Sequence, residues 1–158
     1  MDDYDHTSRK DKNRNRLDSN FKQLMHNKMI LSNLVGGWIT ELEGMDPEEI
    51  GKCLSPDDSY MIAGSNTELI NSHGRKSELD SLFDIHLSGD EHIKLILNVE
   101  GQGAPDSRYK LINRAIFYAS SIIANQRGVE FSGDDFDNIK KVYSVWCVLE
   151  PNSKDRNS

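Results

Sequence analysis

Glu100 closes the apolar run Leu95-Ile96-Leu97-Asn98-Val99, and Gln102 stands two residues further on. In an extended chain these two side chains project to the same side. Upstream, Asp80 opens a second apolar run. If the two runs form a hairpin turning near Asp90, paired residue numbers sum to about 180. Asp80 then faces Glu100, and Asp84 falls opposite Ile96. Two carboxylates across a strand pair repel each other. A proton, a Lys or Arg, or a divalent cation could offset that repulsion. Carboxylate oxygens with few soft ligands nearby suit Mg²⁺ or Mn²⁺ better than zinc. Such an ion binds phosphate oxygens and makes a water acidic. The Gln102 amide, both donor and acceptor, could hold that water. The same spacing also fits two solvated strand ends, and a bulge in the hairpin would exchange Asp80 for Asp84.

The elements that must position these groups are legible as patterns. Leu79 to Ser88 and Ile93 to Glu100 read as strands, with Gly89-Asp90-Glu91 as the turn. Ile93, Leu95, Leu97 and Val99 point one way. Lys94, Ile96, Asn98 and Glu100 point the other. Before the hairpin, Phe21, Leu24, Met25, Leu31, Leu34, Val35 and Trp38 recur at helical steps. They predict one helix from Asp18 to about Gly36-Gly37. Asp46, Pro47 and Glu49 predict a capped second helix. Residues 55–75 read as turns and short extended pieces. A helix is expected from about Arg108 to Gln126, with Gly128 as its stop. Val142 to Leu149 suits a strand buried on both faces. The connection from Glu100 to Val142 is long enough for a parallel crossover. The fold class is α/β.

Length and charge narrow the function classes. The 158 residues suit one domain over 17–151, with a polar arm at 1–16 and a polar tail at 152–158. Residues 1–16 lack apolar side chains apart from Met1 and Tyr4, and read as a disordered arm. That arm carries a net +1, so the remaining residues carry −8 of the −7 total. This balance disfavours a simple basic-patch nucleic-acid binder. It leaves open an acidic site that meets phosphate through a metal. No apolar run reaches the ~20 residues of a membrane span, and the N-terminus lacks a secretory core, so no membrane partner is expected. The two cysteines, Cys53 and Cys147, lie in apolar surroundings, which fits buried thiols in a reducing, cytoplasmic compartment. The apolar Val142–Leu149 strand leaves a homo-oligomer as a further possibility.

An Asp…Glu-x-Gln constellation on a hairpin, followed by a helix, resembles the PD-(D/E)XK nuclease superfamily. More narrowly the chain is similar to the bacterial PD-(D/E)XK nuclease family transposases and the related recombination-promoting nucleases. The resemblance runs through Asp18–Met25, Gly64–Glu68, Leu95–Gln102, Tyr109–Tyr118 and Val142–Trp146, in that order. It covers about residues 18–150.

It implies a restriction-endonuclease-like core, a mixed four-stranded sheet flanked by helices. It also implies metal-dependent hydrolysis of DNA phosphodiesters. Asp80 and Glu100 would be ligands of Mg²⁺ or Mn²⁺, with the Gly101 carbonyl as a further donor. Gln102 stands where the superfamily usually has Lys. It brings no charge but can orient water. Leu79 occupies the place of the superfamily's Pro. Glu68 matches a family position and could add a carboxylate; the alternative is a loop residue. Arg114 and Tyr118 share a helix face, where they could contact phosphate or the Glu100–Gln102 segment, or simply pack. Lys22 could neutralise the site or be solvated. His86 and His92 read as exposed strand residues, since no zinc pattern contains them. Members of this group usually continue beyond the position of Glu150, which would leave a substrate-binding or assembly part outside this chain. The alternative function is a catalytically weak or inactive module of the same fold that binds DNA or a protein partner.

Overall fold

The computed structural model describes residues 15–65, 67–70, 76–87, 93–102 and 110–148, except for the side chains of Ile93, Lys94, Leu95 and Gln102. The arm at 1–14, the hairpin turn, His92 and the tail at 152–158 lie outside the described residues.

The chain begins with α1 (15–25), followed by α2 (Lys28–Val35) and, after a single 3-10 turn, α3 (Pro47–Leu54). Residues 15 and 16, expected to belong to a disordered arm, are helical. Asp18 lies inside α1 rather than capping it. The single helix expected from Asp18 to Gly36 is broken at His26-Asn27. Asn27 caps α2 by accepting the Ile30 N–H at 3.1 Å. The chain at 60–62 enters the break: Lys28 N–H donates to Tyr60 O at 2.9 Å and Ile62 N–H to His26 O at 2.8 Å. Backbone groups that would have closed helical turns are thus paired with a distant segment.

The start of α3 follows the expected capping box. Asp46 Oδ1 accepts the Glu48 and Glu49 N–H groups at 2.9 Å each, and Asp46 N–H donates to Glu49 at 3.0 Å. Asp46→Ala is expected to cost about 1 kcal/mol of stability, read as a lower urea midpoint at unchanged slope.

Among the described residues five strands follow: β1 (Glu68–Ile70), β2 (Lys76–Glu78), β3 (Ser81–Leu87), β4 (Ile93–Gln102) and, after α4 (Leu111–Asn125), β5 (Lys141–Val148). They form two sheets rather than the single four-stranded sheet expected. β1 and β2 make an antiparallel ribbon, while β3-β4-β5 is a mixed sheet. β3 runs antiparallel to β4, and β5 parallel to it across the α4 crossover. The break between β2 and β3 falls at Leu79-Asp80: the Leu79 N–H donates to Thr67 O at 3.0 Å, and the Asp80 N–H turns to a side chain described below.

The three-stranded sheet is covered on both faces. Phe83, Ile85, Leu97 and Val99 pack with Phe21, Leu31, Val35 and Ile50 of the first three helices. Leu82 and Ile96, on the opposite face, pack with Ile122 of α4 and with Leu69 and Leu79. Side chains alternate along a strand, so one sequence feeds both cores. β5 is half-buried from Val142 onward rather than buried on both faces, because it has a strand neighbour on one side only among the described residues. Cys53 is buried and Cys147 half-buried, and neither is in a disulfide.

Candidate active site

The β3–β4 ladder pairs Ser81 with Val99, Leu82 with Asn98 and Asp84 with Ile96. Each pair sums to 180, as the hairpin arithmetic requires. The next pair along is Asp80 and Glu100, where carboxylates take over from backbone carbonyls. Asp80 N–H donates to Glu100 Oε1 at 3.1 Å. Gly101 N–H donates to Asp80 Oδ2 at 2.8 Å. Each acid is therefore held by an amide of the opposite strand. These charge-assisted bonds offset part of the repulsion between the acids. They also explain why the regular ladder ends at Ser81.

The two acids differ in environment. Asp80 is half-buried, whereas Glu100 is 2% exposed. Burial pushes the Glu100 carboxyl up to about 7, and the Asp80 charge adds to the rise. The Asp80 amide, the Arg114 guanidinium and the Asn98 side chain pull the other way. At neutral pH Glu100 is poised to hold or release a proton. A cation bound beside it would favour the ionised form of Glu100.

Asp84, the rival acid, is placed elsewhere. It lies opposite Ile96, roughly 13 Å along the strand from Asp80 at the usual rise per residue. Its carboxylate accepts the Ser65 hydroxyl at 3.1 Å. Glu68 sits on β1 opposite Glu78 and forms an ion pair with Lys76. It is a strand residue rather than a loop residue. Gln102 ends β4 opposite Val148, and its side chain lies outside the described residues. Lys22 is half-exposed on α1, and His86 is exposed on β3.

Gly101 shows why no side chain stands between Glu100 and Gln102. A Cβ there would meet ring atoms of Phe21 at 2.6–2.8 Å. The ring of Phe21 lies flush against the strand, which ties α1 to the backbone that carries Glu100.

Sequence reasoning missed the β5 side of the site. In the parallel register Trp146 lies beside Glu100 and Ser144 beside Asn98. Asn98 donates to Ser144 Oγ at 3.3 Å, and Trp146 Nε1 donates to the same oxygen at 2.9 Å. Asn98 is fully buried, and its Oδ1 has no hydrogen-bond partner among the described residues. The available signal was an Asn inside an apolar strand, in phase with Glu100. Arg114, in the first turn of α4, places its guanidinium carbon 5.4 Å from the centre of the Tyr118 ring and 5.1 Å from that of Trp146.

Among the described residues, no helix is long and apolar enough to cross a membrane. No protein-family model, curated protein or solved structure matches this chain.

Proposed function

We propose that the protein is a metal-dependent DNA endonuclease of the transposase- and recombination-associated kind, with a restriction-endonuclease-like core. The carrying observation is the reciprocal grip of Asp80 and Glu100 across the end of one β-ribbon, with Glu100 buried. The order of helices, antiparallel strands, crossover helix and parallel strand supports the fold reading.

The donor set fits a hard divalent ion. Both acids offer oxygen only, and Mg²⁺ is commonly held by one or two carboxylates with water and substrate phosphate completing its shell. Among the described residues no group of three or more His, Cys, Asp or Glu gathers. Asp80 and Glu100 would hold Mg²⁺ or Mn²⁺. When bound, such an ion would polarise a phosphate oxygen and acidify a water. The chain's own part is positional. The amides of Asp80 and Gly101 fix the carboxylates, Phe21 fixes Gly101, and Gln102 is the residue assigned to orient the attacking water.

The test uses supercoiled plasmid with Mg²⁺ and, separately, titration calorimetry with Mn²⁺. Nicking is expected to need the metal and to stop in EDTA. Heat of Mn²⁺ binding is expected in the wild type and not in Asp80→Ala. Absence of both signals would leave a non-catalytic module of this fold as the better description.

A further inference from the structure

We propose that the protein pairs with a second copy of itself through the outer face of α4, the two helices running antiparallel about a two-fold axis. The inference does not depend on the nuclease reading.

α4 carries two apolar rows. Leu111, Ala115, Tyr118 and Ile122 follow one another at steps of four, three and four residues. This row turns inward: Ile122 is buried, and Tyr118 packs on the same cluster as Leu82 and Ile96 of the sheet. Ile112, Ile116, Ala119 and Ile123 repeat the same steps one residue later. In this second row Ile112, Ile116 and Ile123, with Phe117 at its border, are 42–60% exposed. A surface helix normally turns one apolar stripe to the core and polar residues outward. Alternating steps of three and four form the seam along which two helices interlock their side chains. α4 thus has the inner stripe that one chain needs and a second seam left open to solvent.

The order of sizes in that seam, Ile-Ile-Ala-Ile, selects both partner and orientation. When α4 meets its own copy antiparallel, Ile112 faces Ile123 and Ile116 faces Ala119. A large side chain then lies over a small one at the centre, and symmetry repeats the fit. A parallel pair would set Ala119 against Ala119 and leave a void. Charge selects the same partner. The chain holds 26 Asp and Glu residues and a net −7, yet none of these acids lies in α4. Two such copies repel each other over most of their surface, and a face without acids is where they meet at least cost. Arg114, the one charged residue of α4, turns to the Tyr118 and Trp146 rings, roughly the other side of the helix from the seam. The segments outside the described residues supply no matching cover. Residues 71–75, 88–92 and 152–158 have no apolar side chain, and the others hold no apolar row of this spacing.

From Ile112 to Ile123 the seam runs about 16 Å. So short a contact predicts a reversible dimer with Kd on the order of 10 μM. Sedimentation equilibrium of the full chain, from about 1 to about 300 μM, should show monomer and dimer exchanging around that Kd. Pairing should tighten several-fold between about 0.05 and about 0.5 M NaCl, because salt screens the like charges and leaves the apolar contact. Ile116→Glu should weaken it at least ~100-fold, since each dimer would bury two unpaired carboxylates. Met29→Glu, at an exposed apolar position of α2, should leave it unchanged. Ala119→Ile should weaken pairing ~10-fold by overfilling the place opposite Ile116. Adding Ile116→Ala to it should restore pairing, because the large and small partners are merely exchanged.

Four results overturn the assignment. These are a wild type that stays monomeric throughout, pairing that weakens with salt, wild-type pairing in Ile116→Glu, or tighter pairing in Ala119→Ile. A monomeric wild type that floats with phosphatidylcholine vesicles, while Ile116→Glu does not, would give the face to a lipid surface and also overturn the dimer. If circular dichroism shows Ile116→Glu unfolded, Ile112→Gln at the end of the seam decides.

Discussion

Glu100→Gln is expected to cut metal-dependent nicking by ~10³-fold or more while making the folded protein more stable at alkaline pH. The activity loss follows from removing one of two carboxylates assigned to the cation, whose transition-state stabilisation amounts to several kcal/mol. The stability gain follows from burial. Glu100 has a carboxyl pushed from 4.5 to about 7 in the folded chain. Between these values the folded state binds more protons than the unfolded state. Stability contributed by the protonated acid is complete below about 4.5 and is lost as the pH rises through about 7, a fall of about 3 kcal/mol. Gln is nearly isosteric, stays neutral, and can still accept the Asp80 N–H.

Urea unfolding in EDTA at about pH 5 and about pH 8 separates the two proteins. The wild type should weaken at the higher pH, and the variant should lack that part of the fall. Mg²⁺ should restore wild-type stability at the higher pH and do less for the variant, because a ligand that binds only the folded state stabilises it. Full nicking by Glu100→Gln would remove Glu100 from the catalytic assignment. A wild-type stability that rises through this window would contradict the buried-acid account.

Gly101→Val is the second large effect, and it acts through packing. The added side chain would start within 3 Å of the Phe21 ring, in a core where that ring is 6% exposed. We expect a loss of about 3 kcal/mol, the upper part of the range for overpacking. The Gly101 amide also holds Asp80, so nicking should fall with stability. A partner mutation gives the sharper test. Phe21→Ala alone should cost about 3 kcal/mol or more by leaving a cavity. Combined with Gly101→Val it should cost little beyond that, because the valine enters the vacated space. The two changes are then coupled by ~1 kcal/mol or more. Simple additivity would mean that Phe21 and Gly101 do not share the space the structure assigns them.

Some of the site was open to reading before any coordinates. The Asp80–Glu100 pairing depends on one turn and on side-chain alternation, both local properties. Parity placed Asn98 in phase with Glu100, and the capping box of α3 needs only residues 46–49. The parallel placement of β5 was also within reach, because the length of the connection restricts it. Less accessible were the split of the first helix and the division of the expected four strands into a ribbon and a three-stranded sheet. In the first case the decisive partners, residues 60–62, lie more than thirty positions downstream. In the second, two side-chain carboxylates replace the ladder bonds at its last pair.

Sequence alone narrowed the acid that could face Glu100 at the strand end to Asp80 or, with a bulge, Asp84, because pleat and turn leave a short hairpin few registers. The tertiary structure decided what surrounds the pair. Trp146 beside Glu100, Arg114 over two rings, and Phe21 against Gly101 each join segments separated by long connections. Their meeting is set by how the helices pack on the sheet, which no local spacing encodes.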